Sequence, residues 1–139
     1  MRSCMETSDA QGVILDSCVW IAYLHAEDSQ HAKAVKVVGD IREAVIVPAE
    51  VLYEVATTLK NKRREEDAIA FVRETIGEVG TLLVSDEPAV REAAEAFMSG
   101  RGDRLSFTDT ALRLLSRRFR VVTFDRRLEK EIERARLIT

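Results

Sequence analysis

The sequence predicts an α/β protein, a three-layer α/β/α sandwich around a mainly parallel sheet of four to five strands. Short apolar runs rich in β-branched residues alternate with longer stretches of helical period, which is typical of parallel strands joined by helical crossovers. The strand runs are apolar throughout rather than alternating, as expected when helices cover both faces of a sheet.

The predicted strands are short, and two of them end at an acid. Asp16 follows the run Val13-Ile14-Leu15, and Asp125 follows Val121-Val122-Thr123-Phe124. The last apolar run is the weakest, so the fifth strand is optional in the predicted sheet. The strands are expected at 13–16, 44–48, 81–84, 120–124 and 136–138.

Apolar residues at helical spacing predict the helices, and proline and glycine mark their ends. Pro48 and Pro88 fall at or near helix starts, where the missing N–H is harmless. Gly39, Gly77 and Gly100 fall at or near helix ends. The helices are expected near 18–25, 29–39, 49–61, 65–77, 87–99, 106–118 and 126–134.

A chain of 139 residues, 46% of them hydrophobic, fits one compact domain. We expect residues 1–12 to form a poorly ordered extension and residues 13–139 to form the domain. No apolar stretch approaches the roughly 20 residues that span a bilayer, and the N-terminus lacks a signal-peptide core. These features predict a cytoplasmic protein that does not contact a membrane.

The charge is small overall but unevenly distributed. The net charge is −3, yet residues 1–99 carry 10 Lys/Arg and 18 Asp/Glu, whereas residues 100–139 carry 11 and 6. The basic C-terminal segment can neutralise phosphates, although solvated helix faces are the simpler explanation for each run taken alone.

Four carboxylates stand where a buried strand meets a helix or within an apolar helical stretch. Asp16 and Asp125 end strands, Glu54 lies inside Val51–Ala56, and Asp109 opens a helical stretch. Ligands of parallel α/β sheets bind outside the carboxyl ends of the strands, so these side chains are expected to converge. Converging carboxylates require cations, because burying an unpaired carboxylate costs several kcal/mol or forces it to take a proton.

Each acid also has a simpler explanation. Asp16 and Asp125 can be helix N-caps, and Ser106 with Asp109 can form a capping box. Glu54 is less easily explained, since its neighbours are apolar and Glu50 shares its helix face. We expect Glu50 to be the exposed member of that pair and Glu54 the inward one.

Other catalytic groups are missing from the sequence. His25 and His31 match no usual zinc spacing, and neither a Gly-rich phosphate loop nor a Gly-x-Ser-x-Gly elbow is present. Cys4 and Cys18 make neither a disulfide framework nor a zinc pattern and are expected to be unpaired thiols.

Four segments, in this order and spacing, resemble the PIN-domain ribonucleases and, among them, the toxin half of VapBC-type toxin–antitoxin pairs. Cys18 is one departure, because such proteins often carry Ser or Asn there. The segments are VILDSCVWIA at 13–22, EVATTL at 54–59, LSFTDTAL at 105–112 and VTFDRRL at 122–128.

This resemblance implies a PIN-like fold and a Mg²⁺- or Mn²⁺-dependent endoribonuclease whose catalytic metal ligands are Asp16, Glu54, Asp109 and Asp125. Carboxylates without His or Cys suit Mg²⁺, and two such ions about 3.5–4 Å apart would serve in-line attack on a phosphodiester. Ser17 and Thr123 are expected to orient the metal ligands.

The resemblance also implies partners: an RNA substrate, a small VapB-like antitoxin and a second copy in a homodimer. An apolar groove on the early helices is expected to receive an antitoxin helix. The competing explanation assigns the same residues to the core. They are Val19, Trp20, Tyr23, Val51, Leu52 and Leu59.

Two other functions remain open from sequence. The chain can be a PIN-like module that binds RNA or protein without cutting. A phosphatase of the haloacid-dehalogenase type also begins with an Asp after an apolar strand, but it requires a second Asp where this chain has Cys18.

Overall fold

The structure, a computed structural model, describes residues 11–138 and contains a four-stranded, all-parallel sheet in that range. The expected N-terminal extension therefore lies almost entirely outside the described residues. The strands are β1 (Val13–Leu15), β2 (Val45–Pro48), β3 (Leu82–Leu83) and β4 (Arg120–Val122), in the spatial order β3-β2-β1-β4.

Seven helices accompany these strands within the described residues. They confirm the predicted sequence of elements, with boundaries shifted by a few residues. The helices are α1 (Ser17–Leu24), α2 (His31–Gly39), α3 (Ala49–Asn61), α4 (Glu65–Gly77), α5 (Glu87–Ser99), α6 (Phe107–Leu115) and α7 (Arg126–Ile138). None of them combines the length and apolar character that crossing a bilayer requires.

The expected fifth strand at 136–138 is wrong, because this segment continues helix α7. Leu128 and Ile132 lie one turn apart on the buried side of the helix, and Glu131 pairs with Arg134 at 3.3 Å. Residues of high helix propensity precede the run, and one short apolar run does not outweigh them.

The central strand β1 divides the core into two layers. Val13 and Leu15 pack with Val19 on one face of the sheet, while Ile14 joins the larger cluster on the other. Alternate side chains of a strand point to opposite faces, so both faces are covered. The three-layer prediction is thus confirmed.

Most of the expected apolar groove belongs to this core, which the competing explanation anticipated. Trp20 and Tyr23 are partly exposed, and the ring centroids of Trp20 and Phe71 are 4.9 Å apart. The other four members, Val19, Val51, Leu52 and Leu59, are at most 7% exposed.

The sheet register places the ends of β1 and β4 side by side. Leu15 pairs with Val122, and the backbone N–H of Asp16 donates to the carbonyl of Val122 at 2.9 Å. The residues that follow each strand therefore meet at the same edge of the sheet.

Candidate active site

Asp16 lies at the carboxyl end of β1 and is 6% exposed. One carboxylate oxygen, Oδ1, accepts the backbone N–H of Ser17 at 2.8 Å, so Asp16 is the N-cap of α1. The other, Oδ2, accepts the hydroxyl of Thr123 at 2.8 Å. The capping explanation is therefore correct but accounts for only one of the two oxygens.

The environment of Asp16 disfavours its negative charge. Burial raises the pKa of this carboxyl, the hydrogen bonds from Thr123 and Ser17 offset part of that, and the charges of Asp109 and Glu54 raise the pKa further. No lysine, arginine or histidine within residues 11–138 forms an ion pair with Asp16. A buried carboxylate close to other acids and without a cation is what a metal site requires.

Asp125 is connected to Asp16 through Thr123. The backbone N–H of Asp125 donates to Thr123 Oγ1 at 3.0 Å, and the same hydroxyl donates to Asp16. Asp125 Oδ1 accepts the N–H groups of Arg127 at 2.8 Å and Leu128 at 3.5 Å, as a cap of α7 would. Asp125 thus caps a helix and also borders the site.

Asp109 forms the predicted capping box at the start of α6. Its Oδ2 accepts the N–H of Ser106 at 3.2 Å, and its own N–H donates to Ser106 Oγ at 3.0 Å. The side chain is half-buried, and its charge raises the pKa of Asp16. The box fixes the position of a carboxylate whose charge acts on Asp16.

The predicted orientation of the Glu50 and Glu54 pair is wrong. Glu54 is exposed and Glu50 is partly buried. Val51 and Val55 occupy the core-facing side of α3, while Glu50, in the first turn, benefits from the positive end of the helix dipole. Glu54 nevertheless raises the pKa of Asp16 through its charge, by less than Asp109 does.

The four predicted acids do not form a closed cage: Asp125 is connected to Asp16 by its backbone N–H through Thr123, whereas Asp109 and Glu54 act on Asp16 through their charges. Among the described residues, no three His, Cys, Asp or Glu side chains are grouped closely enough to hold a metal ion as they stand. Mg²⁺ is commonly bound by one or two carboxylates and retains several waters, so a complete protein cage is not required. The donor set of carboxylate oxygens beside a threonine hydroxyl fits such an ion.

Cys18 is a close neighbour of Asp16 that sequence reasoning did not place in the site. Its Sγ lies 3.7 Å from Asp16 Oδ2 and from Thr123 Oγ1, and it accepts the N–H of Phe124 at 3.4 Å. Burial and then the charge of Asp16 raise the pKa of this thiol. The contact of Cys18 with Asp16 is local, two residues along the chain, whereas its contacts with Thr123 and Phe124 depend on the pairing of β1 with β4.

The basic C-terminal segment is partly committed to structure. Arg117 pairs with Glu92 at 2.9 Å, and Arg120 pairs with Glu43. Within the described range, Arg101 and Arg104 form no ion pair and are exposed. These two arginines, in the loop that precedes Asp109, are available for a phosphate.

Comparison with known proteins identifies the family and the fold of the chain. The sequence matches the PIN domain family over residues 13–133. The structure resembles that of Mycobacterium tuberculosis VapC20, a toxin that cleaves the sarcin–ricin loop, with a TM-score of 0.74 and 19% sequence identity. The alignment covers 85% of this chain and 93% of VapC20, which shows a shared fold. No curated protein matches the chain.

Proposed function

The chain belongs to the PIN-domain family, and on that premise we propose that it is a metal-dependent endoribonuclease and the toxin of a type II toxin–antitoxin pair. The observation that carries this proposal is Asp16, a buried carboxylate without a cationic partner in the described residues, whose pKa rises through burial and through Asp109 and Glu54. The shared fold with VapC20, a toxin that cleaves the sarcin–ricin loop, supports this proposal.

Asp16, Glu54, Asp109 and Asp125 would hold Mg²⁺ or Mn²⁺ in this proposal. The ion would acidify a water molecule and neutralise charge at the phosphodiester. Asp16 is held by two hydrogen bonds, from Ser17 N–H and Thr123 Oγ1, and needs little reorganisation to act as a ligand.

The remaining acids approach from different elements. Asp109 is fixed by its capping box and Asp125 by the start of α7, whereas Glu54 reaches in from exposed helix surface. In this proposal the side of the site next to Glu54 is open to solvent. RNA can bind there with its phosphates toward the acids only if bound cations offset the repulsion between phosphates and carboxylates.

Incubation of the purified chain with a mixed RNA pool and Mg²⁺ or Mn²⁺ tests the activity. We expect internal cleavage that EDTA and Asp16→Asn both abolish, whereas Asp28→Asn, a change of the same kind in a loop outside the site, leaves it intact. RNA that stays whole with every metal would reject the nuclease. RNA that is bound but not cut by the unmodified protein would identify the non-catalytic module instead.

We further propose a small antitoxin as the partner and a cytoplasmic location, because an RNA-cutting toxin must be held inactive where its substrate is. Co-purification from the native host under EDTA should recover a small protein whose release restores cleavage. A chain recovered without any such protein, and fully active, would contradict the toxin assignment.

A homodimer is the third part of the proposal. Tyr53 and Val84 are each 68% exposed and Val90 is 50% exposed, and all three line one cavity of about 500 Å³ between α3 and α5. Exposed apolar side chains gathered on one face favour a protein contact. Sedimentation of the wild type should give a dimer that Tyr53→Glu with Val90→Glu dissociates.

A further inference from the structure

Two exposed phenylalanines stack on each other beside the candidate active site. Phe97, near the end of α5, and Phe107, the first residue of α6, have ring centroids 5.0 Å apart and ring planes 7° from parallel. The two residues are 43% and 44% exposed. A stacked pair inside a core would be covered, so this pair presents aromatic surface to solvent.

Two arginines lie on the loop that joins α5, which carries Phe97, to α6, which begins at Phe107. Arg101 and Arg104 are exposed and form no ion pair within residues 11–138, unlike Arg117 and Arg120 on the same basic segment. An exposed aromatic surface on elements joined by a loop with unpaired cations is complementary to a polyanion that also carries flat apolar groups.

The loop presents these arginines from a defined turn. The N–H of Asp103 donates to the carbonyl of Gly100 at 3.2 Å, and Asp103 Oδ1 accepts the N–H of Leu105 at 3.1 Å. Gly102 has φ +89°, which its lack of a side chain permits, and Leu105 is buried at 6% exposure.

One member of the aromatic pair, Phe107, shares the first turn of α6 with Asp109. Phe107 precedes Asp109 by two residues, about 3 Å along the helix axis, and side chains two positions apart point to nearly opposite sides. The Phe107 ring and the Asp109 carboxylate therefore lie on different sides of the start of α6. A strand of RNA that crosses the start of α6 would meet the rings on one side and Asp109 on the other.

We propose that Phe97, Phe107, Arg101 and Arg104 form a platform for single-stranded RNA, on which an unpaired nucleobase stacks while the arginines hold adjacent phosphates. Unpaired bases bind proteins by stacking on aromatic rings, and Arg contacts to phosphate position the chain. This inference rests on the proposed function, since it assigns a substrate contact to that site. The platform residues are positioning residues, because the acids alone face the scissile bond.

Binding of a short unstructured RNA to the full-length Asp16→Asn protein, in buffer with Mg²⁺, tests the platform without cleavage. Phe107→Leu should weaken RNA binding by about 5- to 150-fold, which is the loss in affinity expected when one base no longer stacks on an aromatic ring. Phe107→Trp keeps an aromatic ring and should retain the affinity. Arg101→Gln with Arg104→Gln should weaken binding and reduce its salt dependence. Val79→Ala and Arg73→Gln, exposed residues away from the platform, are the matched controls and should leave binding unchanged.

A 2-aminopurine base in the RNA reports base stacking directly, because its fluorescence would not change if the phenylalanines only stabilised the fold. Its fluorescence should be quenched on the parent protein and recover with Phe107→Leu, while circular dichroism shows both proteins folded. Binding within twofold of the parent for both the Phe107 and the double arginine variants would overturn the platform. A changed oligomeric state with unchanged RNA binding would also overturn it and assign the surface to a protein contact.

The outcomes separate this inference from the proposed nuclease. Cleavage by the unmodified protein together with normal RNA binding by the platform variants would remove only the platform. Lost RNA binding by those variants, with no cleavage by the unmodified protein, would remove only the nuclease.

Discussion

The hydroxyl of Thr123 donates to Asp16 Oδ2 at 2.8 Å and thereby ties the end of β4 to the end of β1. Thr123 Oγ1 also accepts the backbone N–H of Asp125 at 3.0 Å, so one buried threonine positions two of the four acids. Substitution of a residue that hydrogen-bonds to a metal ligand commonly lowers metal affinity or activity, although that residue does not contact the ion.

Thr123→Val keeps the shape of the side chain and removes both hydrogen bonds. We expect cleavage to fall by about 10- to 100-fold, because Asp16 loses its donor and Asp125 its anchor. Thr123→Ser retains the hydroxyl and should keep most of the activity. Equal activity in the valine and serine variants would show that the hydroxyl has no such role.

Asp16→Asn should abolish cleavage and stabilise the metal-free fold at neutral pH. The folded-state pKa of Asp16 lies above its usual value of 3.8, so ionisation of this carboxyl destabilises the fold. The loss of stability begins as pH rises above 3.8 and is complete above the folded-state pKa. In EDTA, Tm of the variant should exceed that of the wild type by a few degrees at pH 7, and the gap should close toward pH 4. A variant less stable than the wild type at pH 7 would contradict the assigned environment.

The Glu43 and Arg120 pair predicts the opposite dependence on pH. Arg120 lowers the pKa of Glu43 from 4.5 to about 2, so the pair stabilises the fold above pH 4.5, and the contribution is lost as pH falls toward 2. Both side chains are partly exposed, at 31% and 43%, so solvent screening limits the effect to about 1 kcal/mol or less. Glu43→Gln should lower Tm slightly at pH 7 and have no effect near pH 2, whereas a deficit that persists at pH 2 would exclude the ion pair as its cause.

Cys18 reports on the charge of Asp16. Burial and then the neighbouring carboxylate raise the pKa of the thiol, so alkylation by iodoacetamide should be slow at pH 8. In a Cys4→Ser background, Asp16→Asn should accelerate alkylation by a few fold, and Asp28→Asn should not. Equal alkylation rates in the two variants would show that the charge of Asp16 does not affect the Cys18 thiol.

The arrangement of the site was largely predictable because parallel strands end at the same edge of a sheet. Asp16 and Asp125 follow the adjacent strands β1 and β4, and Thr123, which was expected to orient a metal ligand, donates a hydrogen bond to Asp16. Asp16 and Asp125 cap helices and Asp109 belongs to a capping box, and these local roles do not exclude the proposed role as metal ligands.

The errors arose where tertiary contacts decide between local choices. Residues 136–138 can form a strand or extend a helix, and the packing of Leu128 and Ile132 selects the helix. Glu50 and Glu54 share one helix face, so their relative burial depends on which elements cover α3. Ser17 donates its backbone N–H to Asp16, and its role in orienting a metal ligand stays a prediction.

The central claim is that Asp16, Glu54, Asp109 and Asp125 bind one metal centre that cuts RNA, and anomalous scattering from a crystal of the wild-type protein soaked in Mn²⁺ tests it most directly. We expect a peak in contact with the Asp16 carboxylate and at least one of the other three acids, and no peak there in Asp16→Asn. A protein that cleaves RNA with Mn²⁺ but carries its peak elsewhere, or none at Asp16, would exclude these acids as the metal site.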